Sequence, residues 1–294
     1  MFGFLNVDKA KYKTSRQVVN AIQKVCKPLK VGHAGTLDPL ATGVLVICVG
    51  PATRLTTYAQ AMPKTYLAGF RLGFESDSED MYGNVEELAD APSVRRSDIE
   101  AVLPEFVGEI EQIPPRFSAL KVDGKRAYSL ARKGVEFKMK PRKILIEDIK
   151  LKSFSYPEFK IEIQCGSGTY VRSLGRDIGR RLGSGAIMIS LERTAIGSFH
   201  ISESIHSNDI SSESIQRCLT KPQDFVDNLH YVNVSDEQLQ LFANGHAWTP
   251  PSPIEFQKIG AIDSSERLLA ILDRRSADRY TPKTNFSNYW LERM

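Results

Sequence analysis

The sequence predicts a mixed α/β (α+β) fold in two domains, on three observations. Its 294 residues exceed what one core ordinarily holds at about 150 residues per domain, and its 41% of apolar residues supply a globular interior. Apolar positions switch along the chain between helical spacing and the two-residue alternation of half-buried strands. A polar, serine-rich stretch from His200 to Phe225 then separates these segments from a set of short strand-like runs.

The elements follow in order. Thr14 or Ser15 caps a helix whose Val18, Val19, Ile22, Val25 and Cys26 recur at helical spacing, with Pro28 beyond its end. Val44 to Val49 reads as a buried strand, so Gly32 to Gly43 links helix to strand. From Lys64 to Phe74, Tyr66, Ala68, Phe70 and Leu72 alternate with Leu67, Gly69 and Arg71 as in a strand. Ser97-Asp98-Ile99-Glu100 has capping-box spacing and opens a short helix to about Phe106. Ala119 to Lys121 reads as strand, Gly124 as turn and Ala127 to Arg132 as a short basic helix. Lys143 to Ser155 and Phe159 to Gln164 are two strands around a Tyr156-Pro157 turn. Thr169 is placed to cap the next helix, where Val171, Leu174, Ile178 and Leu182 form an apolar stripe. Beyond the connector, Lys258 to Ile262 and Leu268 to Leu272 read as strands, with a turn at Gly245-His246.

Charge narrows the function. The net charge is only +4, but Gly73 to Gln112 carries twelve acidic and two basic residues, whereas Pro114 to Lys143 carries ten basic and two acidic. Arg116, Phe117, Tyr128 and Phe137 interleave aromatic and basic groups in that second stretch, which suits phosphate neutralisation with nucleotide stacking as well as a merely solvated face. Cys26, Cys48, Cys165 and Cys218 lie far apart without metal-ligand spacing, as buried free thiols of a reducing compartment would. No secretory pattern opens the chain and no apolar run approaches the ~20 residues of a membrane span. The expectation is a cytoplasmic protein with no membrane association.

One string carries the chemistry. Gly32-His33-Ala34-Gly35-Thr36-Leu37-Asp38-Pro39-Leu40-Ala41-Thr42-Gly43-Val44-Leu45 fixes a single carboxylate among apolar residues in a glycine-punctuated turn. An Asp-Pro pair is often only a local turn bond. The whole string, however, closely resembles the catalytic-aspartate motif of the TruB family of tRNA pseudouridine-55 synthases. That resemblance implies that Asp38 is the nucleophile that isomerises a uridine.

Further strings extend the resemblance over roughly Gly3 to His200. Gly168-Thr169-Tyr170-Val171-Arg172 is similar to the second family motif, which implies that Arg172 pairs with Asp38 and that Tyr170 lies in the same site. Lys64-Thr65-Tyr66 is similar to the family's K-x-Y, implying a tyrosine that stacks on the base and assists removal of the C5 proton. Leu191-Glu192-Arg193-Thr194 resembles the segment that walls the uracil pocket, with Leu191 as its apolar member, and His33 matches the histidine that fills the gap left by a flipped nucleotide. Residues 114–143 resemble the insertion that grips the tRNA T stem-loop, which makes Arg116, Lys125, Arg126, Arg132 and Lys133 candidate contacts. Arg172, Arg176 and Arg180 share a helix face. A solvated stripe with Asp177 pairing to Arg181 competes there with phosphate contact by Arg176. One departure is clear: the usual D-K-P-x-G-x-T-S turn here reads Asp8-Lys9-Ala10-Lys11-Tyr12-Lys13-Thr14-Ser15. Tyrosine accepts a positive φ poorly, so a rearranged or looser turn is expected.

The resemblance implies a pseudouridine synthase fold, with a central mixed, mainly antiparallel sheet flanked by helices over residues 1–228. Leu241-Phe242-Ala243-Asn244-Gly245 and Leu269-Ala270-Ile271-Leu272 resemble an abbreviated PUA-type RNA-binding domain over residues 229–294. The reaction so implied breaks N1–C1′ and rejoins the base through C5, with attack by Asp38 at either C6 or C1′, no cofactor or metal, and no obligate protein partner. Competing readings are a noncatalytic RNA-binding protein on the same fold, a uridine glycohydrolase and a guide-RNA-dependent synthase.

Overall fold

Alternating apolar side chains draw strands from across the first two hundred residues into one sheet in the computed structural model, which describes residues 1–226, 229–276 and 278–293. β1 (Gly3–Lys9), β2 (Val31–His33), β3 (Thr42–Val49) and β4 (Lys64–Leu72) belong to a ten-stranded mixed sheet. Its main path runs Ile205–His206, β1, β3, Ala186–Ile196, β4, Glu158–Cys165, Arg142–Ser155, Gly108–Gln112. Most neighbours are antiparallel, but β3 runs parallel to Ala186–Ile196, pairing Thr42 with Glu192 and Gly43 with Arg193. Gly43 has φ +95°, and a Cβ there would lie 2.3 Å from the Arg193 carbonyl oxygen. Glycine is therefore what lets the two strands meet.

Helices cover the sheet where the apolar stripes predict. α1 (Ser15–Cys26) is capped by Thr14 in a capping box with Gln17, and buries Val18, Val19, Ile22 and Cys26. The helix Val171–Arg181 packs so close to β4 that a Cβ on Gly175 would sit 2.1 Å from the Phe70 ring. That approach fixes the helix that carries Arg172, one turn earlier.

β3 is apolar at successive positions because both its faces are buried. Leu45, Ile47 and Val49 join the core under α1, while Val44, Val46 and Cys48 join a second core with Phe2, Phe4, Phe225, Leu268, Ile271 and Phe286. The latter residues come partly from a four-stranded sheet, ordered His230–Asn233, Lys258–Ile262, Leu268–Ser276, Arg279–Asn285, with helices Asp236–Ala243 and Ser287–Leu291. The expected domain boundary at 228 falls on residues outside those described. Among the described residues no helix is long and apolar enough to cross a membrane.

Several local expectations need correction. The helix expected from Ser97 runs Arg96–Val102 instead, because the Asp98 carboxylate accepts from the Arg95 N–H at 2.9 Å and moves the cap two residues earlier. Thr169 does not cap: its hydroxyl donates to the Gly166 carbonyl at 3.3 Å, and Tyr170 occupies the cap position. The strand expected to reach Phe74 breaks after Leu72, and that at Ala119 to Lys121 shifts to Lys121–Val122. The polar connector holds the strand Ile205–His206, parallel to β1, and helices Ser212–Cys218 and Pro222–Phe225. The Ala10 to Tyr12 turn is not loose. Tyr12 itself adopts φ 68° and its N–H donates to the Pro39 carbonyl at 2.7 Å, while the buried Lys9 ammonium donates to the carbonyls of Ala10 and Lys13 at 3.1 and 2.7 Å.

Candidate active site

The Asp38 turn is pinned from both sides. From α1, Ser15 Oγ accepts the Leu37 N–H at 3.0 Å and lies 3.2 Å from the Leu37 carbonyl, to which it donates. From the strand Ala186–Ile196, the buried Arg193 donates to the Gly35 carbonyl at 3.1 Å and the Val44 carbonyl at 2.7 Å. Leu37 and Leu40 are buried within the turn, yet the Asp38 side chain remains 35% exposed. The fold thus spends its apolar contacts on the backbone and leaves the carboxylate open.

Arg172 aims that carboxylate. Its Nε lies 2.9 Å from Asp38 Oδ2 and its Nη2 donates to Oδ1 at 3.3 Å. The remaining donors are fixed by the Ser78 carbonyl at 2.9 Å and the Phe117 carbonyl at 3.1 Å, with Asp80 Oδ2 3.8 Å from Nε. With its side chain only 7% exposed, Arg172 is a rigid, two-pronged partner rather than a mobile surface charge.

A cavity of about 640 Å³ opens beside this pair, lined among others by Asp38, Lys64, Tyr66, Tyr170, Leu191 and Arg193. Tyr66 is buried, and burial, partly opposed by Arg193, pushes its phenol above the usual tyrosine range. The Arg193 guanidinium lies 6.0 Å from its ring centroid, within cation–π range. Burial lowers the Lys64 ammonium to about 8, although its Nζ donates to the carbonyls of Gln60 and Met62. Tyr170 is held through its backbone by Gln112, which accepts the Tyr170 N–H at 2.8 Å and donates back to its carbonyl at 3.1 Å. Burial raises its phenol too. Leu191 adds an apolar wall of the kind that excludes water.

The other candidates lie around this centre. His33 stands on β2 opposite Ile47, its Nδ1 without a hydrogen-bond partner among the described residues, and burial with the charges of Arg193 and Arg16 lowers its pKa. The basic segment is joined to the site through Phe117. Arg116 packs over Phe137 and Arg132 over Tyr128 at 5.2 and 5.8 Å, while Lys125, Arg126 and Lys133 are exposed. Arg126 donates to the Ala119 carbonyl, leaving its face to solvent. Arg176 is differently occupied: Glu79, Asp177 at 2.8 Å and the Ile113 carbonyl at 3.0 Å take its donors, and Arg181 pairs with Glu105 rather than Asp177. A phosphate at Arg176 has to compete with those partners.

Two participants were given no role of their own in the sequence reading, although Arg193 lies within the Leu191 to Thr194 motif. Arg193 supports the turn and packs on Tyr66; the inward phase of Leu191 and Ala195 marks its position. Asp80, beside Arg172, carries no such sign. Among the described residues no three His, Cys, Asp or Glu side chains cluster as metal ligands. The arrangement offers a held carboxylate nucleophile or base over a partly apolar, aromatic-lined cavity, with a basic face leading to it.

Comparison with known proteins places the chain in a family. Residues 23–171 match the TruB family pseudouridylate synthase N-terminal domain. A tRNA pseudouridine synthase B of Clostridium tetani is 40% identical over 245 residues, covering 83% of this chain and 85% of the relative. One of Parabacteroides distasonis is 48% identical over 191 residues, covering 65% and 79%. Among solved structures, a Cbf5-Nop10-Gar1 complex contains a chain that superposes with a TM-score of 0.73 over 97% of this chain and 85% of its own. At 24% identity, that likeness establishes the fold alone.

Proposed function

Because the chain belongs to the TruB family of pseudouridylate synthases, we propose that it isomerises uridine 55 in the T loop of tRNA, with Asp38 as the nucleophile. It is a tRNA pseudouridine synthase, an isomerase acting by intramolecular transfer. The observation that carries the finer reading is the two-pronged Arg172 contact on Asp38, at 2.9 and 3.3 Å, beside a cavity floored by Tyr66.

Each residue has a part in that reaction. Asp38 attacks the bound nucleotide at C6 or C1′, the N1–C1′ bond breaks and the base turns within the cavity; C5 then bonds to C1′, the bond to Asp38 breaks to return the free carboxylate, and the C5 proton leaves as N1 takes one up. Arg172 holds the carboxylate aimed at the bound nucleotide; Tyr66 holds the base and assists proton removal. Leu191 favours rejoining over hydrolysis by excluding water. Lys64, Tyr170 and His33 hold the nucleotide and the space it vacates. The target base has to leave its stack, which costs a few kcal/mol, and contacts from Arg116, Lys125, Arg126, Arg132 and Lys133 to the T stem-loop supply that energy. Residues 1–228 form the catalytic domain, residues 229–294 a PUA-like module that extends the RNA contact, and the enzyme works in the cytoplasm without an obligate protein partner.

The test is an unmodified tRNA transcript carrying tritium at uracil C5, followed by mapping of the modified position. Tritium release mapped to position 55 supports the reading. Binding without release across several tRNAs refutes catalysis, and release mapped elsewhere refutes the T-loop assignment.

A further inference from the structure

Next to the Asp38 turn stands a residue whose backbone is unfavourable and whose side chain gains no burial in return. Tyr12 has φ 68°, a region that its Cβ disfavours, yet the residue is 66% exposed. An outlier of this kind persists only where its surroundings hold it, and it points to a use. Here Pro39, the residue after Asp38, holds the Tyr12 N–H.

The ring does not stand alone. Tyr82, 54% exposed, meets it edge-on, with centroids 6.4 Å apart and planes at 88°. Tyr82 is itself anchored, because its N–H donates to Asp80 Oδ1 at 3.0 Å and Asp80 stands beside Arg172. Both rings line a second cavity of about 760 Å³, which shares Asp38, Arg172 and Phe117 with the first. Tyr128 and Arg132 line it as well, and the Lys11 ammonium lies 5.2 Å from the Tyr12 ring centroid. The chain therefore presents π faces and cations in a space continuous with the one assigned to the target base.

We propose that Tyr12 and Tyr82 form a stacking platform for an unstacked nucleobase adjoining the target uridine, with Lys11 and Arg132 supplying charge for its phosphates. This rests on the uridine-modifying reading of the Asp38 cavity. The occupant is RNA because aromatic faces interleaved with cations bind bases regardless of identity, and because the cavity holds one nucleotide in size and opens onto the site.

The experiment uses the full chain carrying Asp38→Asn and a T stem-loop RNA with 2-aminopurine immediately 5′ or 3′ of the target uridine. Binding should quench the fluorophore at one of these positions. Adding Tyr12→Gly should relieve the quenching and weaken RNA binding by about five- to a hundredfold, without lowering the melting temperature, since glycine takes the same φ freely. Tyr12→Phe, which keeps the ring, should retain both quenching and affinity. The proposal is overturned if Tyr12→Gly leaves quenching unchanged and binding within twofold, or if Tyr12→Phe loses as much as Tyr12→Gly. Wild-type protein that binds and quenches the RNA but releases no tritium overturns the catalytic reading and leaves the platform standing; failure to bind any tRNA overturns both.

Discussion

Replacing Arg172 by lysine separates the shape of the guanidinium from its charge. The native fork makes four short contacts, two to Asp38 at 2.9 and 3.3 Å and one each to the carbonyls of Ser78 and Phe117 at 2.9 and 3.1 Å. A single ammonium keeps one bond to Asp38 and one to a carbonyl, so two are lost and one buried acceptor is left unpaired. At about 1.5–3 kcal/mol for a hydrogen bond to a charged group, the loss is about 3–6 kcal/mol. If about 3 kcal/mol of that falls on the alignment of Asp38, the single-turnover rate drops by roughly a hundredfold. At about 2–4 °C per kcal/mol, the melting temperature falls by roughly 6–24 °C. Rapid-quench tritium release gives the rate, filter binding should show tRNA affinity within about threefold, and thermal denaturation gives the stability. A lowered melting temperature with a wild-type rate would refute the reasoning, because Asp38 would then be aimed by its own turn and Arg172 would serve only the fold.

Three further outcomes are expected. Asp38→Asn should abolish pseudouridine formation with RNA affinity nearly unchanged, an amide being a far poorer nucleophile of the same shape; turnover at a tenth of the wild-type rate would remove Asp38 from that role. Neutralising Lys125, Arg126, Arg132 and Lys133 together should flatten the salt dependence of tRNA binding by about one unit per lost phosphate contact, and an unchanged slope would return this stretch to a solvated face. Lys64, lowered to about 8 by burial, is charged below that pH and neutral above it, so the affinity that uses its charge should be present below about pH 8 and lost as pH rises through it. Lys64→Met should lack that alkaline limb when RNA binding is titrated, and the same decline in the variant would assign the limb to another group.

Legibility followed the range of the forces involved. The Thr14 cap, the apolar face of α1, β3 and the hairpin Arg142–Ser155 with Glu158–Cys165 all depend on neighbours within a few residues, and local periodicity shows them. The strand Ile205–His206 is two residues long and exists because β1 offers it an edge, so no pattern announces it. Tyr12 shows the same limit from the other side. Propensity argued against positive φ, and the tertiary bond from its N–H to Pro39 prevailed. In the site, motif resemblance pointed to Asp38, Tyr66 and Arg172, which the structure brings together. The carbonyls of Ser78 and Phe117 that complete the Arg172 cage are backbone atoms, and residue identity carries no trace of them. Glu79 and Arg176 likewise find one another across 97 residues of chain.

The double burial of β3 ties the two sheets into one mechanical unit. Val44, Val46 and Cys48 begin six residues after Asp38 and lean on a core closed by Phe2, Phe225 and Phe286, with the rings of Phe2 and Phe286 only 4.8 Å apart. Cutting the chain near residue 229 would strip Leu268, Ile271 and Phe286 from that cover of the strand that carries the carboxylate turn, and wet apolar surface would replace their packing. The C-terminal segment is thus a lining of the catalytic sheet before it is anything else. Substitutions that tune its outer strands can be borne, whereas those on Leu268, Ile271 or Phe286 would be felt at Asp38 through the strand between them.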